Sequence, residues 1–248
     1  KEMLRFSAPM IPNSISWWVS DSSDKYVILW FLSSAEVGLY SIAYKIPTLL
    51  TMAMSLFVSA FQISIFDEFK KKDGNKFFET VYTSVMTVLL LAASVLIFAS
   101  KYLAIVLYKN SFYSAWMVGC ILIFAFVFNS LSSLIGTLYT AAKHTSVLFY
   151  STLVAACVNI TLNIILIPDY GLNGAAFAKK QMENKFVDRN SIIMMMLIAL
   201  QIMIELSEIE YRMYMSFVIV LLVFVITYKK LKKSFLYEKI ITIIERRK

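Results

Sequence analysis

The sequence predicts an all-α, polytopic transmembrane helix bundle, on three observations. Of the 248 residues, 59% are hydrophobic and only 16% charged, against roughly 45 to 50% and 25% in soluble domains. The mean hydropathy is +0.71. Apolar runs of the length needed to cross a hydrocarbon core, about 20 residues each, follow one another along the chain with short polar loops between them. The formal net charge is +8, but the Lys and Arg residues collect in those loops, as cytoplasmic loops require. Membrane lipid is therefore the expected surrounding, and no nucleic-acid partner is expected.

The first span, Phe6 to Leu32, organises the rest, because it carries Asp21, Asp24 and Lys25 inside a run long enough to cross a bilayer. Each such charge costs at least ~2.5 kcal/mol when it faces lipid, so intramembrane charges face a bundle interior or a watery cavity. At about 100° per residue, Asn13, Ser14, Trp17, Ser20, Asp21, Asp24 and Lys25 fall within an arc of roughly 140°. Ile15, Val19, Tyr26 and Trp30 lie opposite, towards lipid or neighbouring helices. Pro9 and Pro12 each remove a backbone donor and are expected to bend the first turns. Asp21 and Lys25 also form an i,i+4 pair that could neutralise itself or lock two helices together. One cation cannot satisfy two carboxylates, so Asp24 needs a further partner, either another helix or a transported molecule.

The remaining elements alternate across the membrane. The turn Ser33 to Gly38 holds Glu36 and no Lys or Arg, which suits the outside. Leu39 to Phe66 returns, with Tyr40, Tyr44, Lys45 and Pro47 near its outer end; Lys45 lies near enough to the interface to snorkel. The loop Asp67 to Phe77 concentrates Lys70, Lys71, Lys72 and Lys76 and is the strongest inside signal. Phe78 to Ser100 then goes out, and the aromatic stretch KYLAIVLYKNSFYSAW suits the outer interface. Met117 to Thr140 comes back with Asn129, Ser130, Ser132, Ser133 and Gly136 as a small, polar patch of the kind that lets helices approach closely. A turn with Lys143 and His144 leads to Val147 to Ile167, which carries Asn159 and Asn163 one turn apart and ends at Pro168-Asp169-Tyr170-Gly171. Buried amides of this kind serve chiefly as interhelical glue. Ile192 to Leu206 and Met213 to Tyr228 complete about seven spans, before a basic tail suited to the inner membrane surface.

Cys120 and Cys157 lie in apolar runs and act as small hydrophobes, and His144 is the single histidine. With no His, Cys or carboxylate cluster at ligand spacing and no glycine-rich phosphate loop, no catalytic residue, metal or cofactor is expected, and the chain does not read as an enzyme. Its start, KEMLRF, has neither an initiating Met nor a cleavage pattern and reads as the middle of a longer protein.

Four stretches together resemble the Wzx-like polysaccharide biosynthesis proteins, flippases of the multidrug/oligosaccharidyl-lipid/polysaccharide exporter superfamily. They are SAPMIPNSISWWVSDSSDKYVI (Ser7 to Ile28), GLYSIAYKIPTLL (Gly38 to Leu50), LYKNSFYSAW (Leu107 to Trp116) and NITLNIILIPDYGLNGAAFA (Asn159 to Ala178). The resemblance implies two helical lobes around a cavity that holds a lipid-linked oligosaccharide. This chain would be the C-terminal lobe, partnered by an N-terminal lobe of the same protein, in a bacterial cytoplasmic membrane, serving O-antigen, lipopolysaccharide or capsule assembly. The family's polar seventh helix falls on Asn13, Trp17, Asp21, Asp24 and Lys25, and its Lys-Ile-Pro element on Lys45 and Pro47, so Asn13, Trp17, Asp21, Asp24, Lys25 and Lys45 are implied to line the substrate cavity. Lys25 stands where many relatives carry Arg, which exchanges a bidentate fork for a point charge.

On this reading residues 1–178 hold the family's helices seven to eleven and the start of the twelfth. Residues 179–190 are a basic cytoplasmic-type loop, 191–228 the last two spans and 229–248 a basic amphipathic tail. Only Leu172 to Ala178 separates an outside turn from the basic segment that begins at Lys179, and seven helical residues cover about 10 Å of a core about 30 Å thick. One family helix is therefore expected to be missing at the join of Ala178 and Lys179. Two other functions compete: a cation-coupled small-molecule exporter with Asp21 or Asp24 as its ion site, and a membrane-embedded glycan polymerase or ligase, for which the outer loops lack convergent Arg, His or carboxylate groups.

Overall fold

The computed structural model describes residues 7–68, 74–108, 112–178, 189–207 and 211–245. Lys70, Lys71 and Lys72, most of the basic loop at 179–190 and the junction at Lys179 lie outside the described residues. Every regular element described is a helix: α1 (Met10–Phe31), α2 (Ser34–Ala43), α3 (Lys45–Glu68), α4 (Gly74–Leu107), α5 (Ala115–Ala141), α6 (Thr145–Ala178), α7 (Arg189–Leu206) and α8 (Arg212–Glu245). The stretches Lys45–Phe66, Phe77–Leu107, Ala115–Ala141, Thr145–Asp169 and Met213–Lys230 are long and apolar enough to cross a membrane. α1 has the length, 22 residues or about 33 Å, but carries Asp21, Asp24 and Lys25. The apolar part of α7, Ser191–Leu206, is shorter. The chain is an all-α polytopic membrane bundle.

α5 is its axis. It packs on α2, α3, α4, α6 and α7, and 72% of its most apolar window is buried, against 22 to 44% for the other four apolar helices. The cause lies in its sequence: from Val118 to Val127 every residue is buried, so the helix is apolar on all sides and has no face to offer water. Two glycines let neighbours close in. A Cβ at Gly119 would lie 3.6 Å from the Ala43 carbonyl oxygen, and one at Gly136 would lie 3.6 Å from the Leu148 side chain on α6.

The boundaries follow local chemistry. Pro9 caps α1 and Pro12 falls in its first turn, where a missing N–H would have had no partner in any case; the bend expected there is confined to the entry at Ala8–Pro9. α2 and α3 form one span divided at Tyr44, whose N–H still bonds to the Tyr40 carbonyl at 3.1 Å and whose carbonyl accepts from Thr48 N–H at 3.0 Å. Pro47 lacks the N–H that would reach back to Ala43, and the Tyr108 hydroxyl donates to the Ile42 carbonyl at 3.1 Å. α4 runs to Leu107, further than the expected end at Ser100, since nothing between Lys101 and Leu107 breaks a helix and most of that segment is apolar. α5 ends in a Schellman turn: Lys143 N–H bonds to Thr140 O at 3.0 Å and His144 N–H to Tyr139 O at 2.9 Å, with Lys143 itself left-handed at φ 58°. α6 continues through Pro168 and breaks at Gly171, φ 58° and ψ −140°, close to its expected end.

Candidate functional site

The site grows from the seam between α1 and α6. The Thr152 hydroxyl donates to Asn13 Oδ1 at 2.6 Å and the Asn163 amide donates to Asp24 Oδ1 at 2.7 Å, both across a separation of 139 residues. Between them the Ser23 hydroxyl donates to Asn159 Oδ1 at 3.2 Å. A constant offset means that the two helices run parallel and in register over about three turns. Between helices that lipid surrounds, such bonds supply directional attraction that apolar packing lacks, on average ~0.6 kcal/mol each.

Asp24 is the upper node of this seam and is fully buried. Its Oδ2 accepts hydrogen bonds from Tyr40 at 3.0 Å and Tyr44 at 3.1 Å. The local sequence arranges this. Ser33 caps α2 by accepting from Glu36 N–H at 3.3 Å, which fixes the tight return after α1. Tyr40 and Tyr44, one turn apart, then face back onto Asp24, their rings edge to face at 5.0 Å, with Phe126 of α5 edge to face on Tyr44 at 5.4 Å. Asn163 also donates to Asn159 at 3.2 Å, while its own Oδ1 is buried without a hydrogen-bond partner. Other helices thus supply partners for the carboxylate.

The lower end of the seam opens into a cavity of about 600 Å³. Its walls come from the first turns of α1 (Asn13, Trp17), the last turns of α3 (Gln62), the polar half of α5 (Asn129, Ser132, Ser133) and the start of α6. The small-residue patch of α5 therefore serves two purposes, since Gly136 lets α6 close in while its neighbours line the opening.

Of the residues expected at a substrate cavity, Asn13 and Trp17 line this one. Asp24 does not, because it turns into the helix interface. Asp21 and Lys25 are exposed on α1, and Lys45 is exposed at the start of α3. The packed face is rotated from the expected arc: of the buried residues Ser16, Asp24, Val27 and Ile28, only Asp24 belongs to the stripe, and its neighbours there, Asp21 and Lys25, remain at the surface. Sequence reasoning did not pair Tyr40 and Tyr44 with Asp24 or assign Thr152 and Gln62 to the site. The available signal was the i,i+4 tyrosine pair a short turn after an intramembrane carboxylate.

Comparison with known proteins bears on the same residues. A family model described as polysaccharide biosynthesis protein matches residues 1–75, the segment that contributes α1, α2 and α3. The probable low-salt glycan biosynthesis flippase Agl15 of Haloferax volcanii is 25% identical over 183 residues, 72% of this chain and 38% of that protein, so the chain spans well under half of the relative's length. No solved structure matches. By both comparisons the chain is similar to the Wzx-like polysaccharide biosynthesis proteins, the family that its four motifs resemble.

Proposed function

We propose that the chain is the C-terminal lobe of a flippase that carries an undecaprenyl-diphosphate-linked oligosaccharide across the bacterial cytoplasmic membrane, for assembly of a surface polysaccharide. The observation that carries this reading is the exposed charge on α1: Asp21 and Lys25 stand at the surface, beside the face on which Asp24 and Ile28 are buried and which packs on α2 and α6. Exposed charge on a membrane helix needs a watery neighbour, and the inner face of an N-terminal lobe would supply one. Lys25 and Lys45 suit a diphosphate, since ammonium to phosphate bonds are charge-assisted and strengthen where water is excluded. The similarity to a glycan flippase supports the same cargo class. Lys25→Ala in the full-length protein is expected to abolish glycan export at unchanged protein level, with partial rescue by Lys25→Arg. Undiminished export by Lys25→Ala would remove the headgroup role.

The second reading is a cation-coupled small-molecule exporter, favoured by the burial of the Asp24 carboxylate. It expects Asp24→Asn to uncouple transport from an imposed proton or Na⁺ gradient. Efflux of small cationic dyes that ignores both gradients would count against it.

A further inference from the structure

The lower cavity differs in chemistry from the exposed lysines. Among the described residues that line it, none carries a full charge. A diphosphate buried there would lose its hydration with no cation in return, so the headgroup belongs elsewhere. The polar groups that are present suit hydroxyls. Gln62, Asn129 and Ser133 make no side-chain hydrogen bond with other described residues, and Asn13 uses only its Oδ1, towards Thr152, which leaves its two amide protons to donate. Amides and hydroxyls each offer donors and acceptors together, the same mixed demand that a sugar ring makes at every carbon. Trp17 and Tyr139, both 37% exposed, give the cavity aromatic surface. The electron-rich faces of such rings attract C–H bonds polarised by neighbouring oxygens. The volume of about 600 Å³ lies within the range of small-molecule sites, about 300 to 1,000 Å³.

We infer that this cavity is a subsite for an uncharged sugar unit of the transported molecule, which rests on the flippase reading above. Lys25 lies eight residues beyond Trp17, about 12 Å further along the same helix. One helix face therefore reads the cargo in two parts, the headgroup through Lys25 and the glycan through the cavity. On the proposed topology the cavity lies in the cytoplasmic half, where a newly assembled glycan would enter.

The experiment uses the full-length protein in phosphatidylethanolamine and phosphatidylglycerol vesicles, with a benzophenone amino acid in place of Ser133 or, separately, of Leu29, one turn beyond Lys25. Two probes are compared: undecaprenyl diphosphate without sugar, and the same lipid bearing the oligosaccharide, purified from the source cells. Position 133 is expected to capture the glycan-bearing lipid at least about tenfold better than the bare lipid, and position 29 to capture both. Asn129→Leu is expected to cut capture at 133 by about tenfold, the loss of one well-made hydrogen bond, and to leave capture at 29 unchanged. Capture at 29 with equal or no capture of the two lipids at 133 would overturn the subsite and leave the flippase reading standing. Absence of both lipids from both positions would overturn the two together.

Discussion

Asn163 donates to Asp24 across 2.7 Å with the same 139-residue offset that separates Thr152 from Asn13, so the two bonds form the upper and lower ends of one helix register. Removing either partner of the upper bond leaves a buried polar group without its bond, at a cost of about 1 to 3 kcal/mol. Asn163→Leu and Asp24→Leu are each expected to lower unfolding stability in micelles by about that amount. The double variant is expected to lose less than the sum, because the Asn163 to Asp24 bond is lost in each single variant but only once in the double, while Tyr40 and Tyr44 lose their acceptor equally in both Asp24 variants. Additive losses in a double-mutant cycle would show that the two side chains do not cooperate.

Lys143 occupies the left-handed position of the Schellman turn at φ 58°, a conformation that costs an ordinary residue about 1 kcal/mol relative to glycine. Lys143→Gly is expected to raise unfolding stability by up to that amount. A clear drop would mean that the lysine side chain, not the backbone, holds the turn.

Gly171 presents the opposite case. Its φ of 58° with ψ of −140° lies outside the left-handed helical region and near the territory open mainly to glycine. An added Cβ would meet nothing within 4 Å, so the penalty comes from the backbone alone. Gly171→Ala is expected to destabilise by about 1 to 3 kcal/mol, and a neutral variant would sink the idea that this break needs glycine.

Orientation can be read from two turns. Ser34 at the start of α2 and Lys143 between α5 and α6 are both exposed, and the basic-loop pattern puts the first outside and the second inside. Cys157 is exposed and Cys120 buried, so a Cys157→Ala background leaves a clean surface. In intact cells a membrane-impermeant maleimide is expected to label Ser34→Cys at once and Lys143→Cys only after permeabilisation. The reverse pattern would invert the bundle.

Much of this architecture was legible because membrane insertion imposes strong one-dimensional rules. Apolar run length marked the spans, Gly171 marked the break within α6 although the helix runs on through Pro168, and the i,i+4 spacing of Asn159 and Asn163 marked them as interhelical ties. The site was harder to read, because a helical wheel gives angle but not neighbour. It grouped Asp24 with Lys25, yet the 100° between adjacent residues is enough to turn one into the α6 seam and the other to the surface. The cavity was less legible still. Its walls come from four helices distant in sequence, and the Asn129 to Gly136 patch reads equally well as a place where helices touch and as one where they part.

The division of the α2 and α3 span at Tyr44 also separates two kinds of fastening. Above it, α2 is held by directional bonds, the Tyr40 hydroxyl on Asp24 and the Tyr108 hydroxyl on the Ile42 carbonyl. Below it, α3 is held by a row of buried apolar side chains spaced about one turn apart, Ile46, Leu50, Met54, Val58, Phe61 and Ile65, against α4 and α5. One span is thus pinned at a point near its outer end and glued along its length towards Gln62 and the cavity.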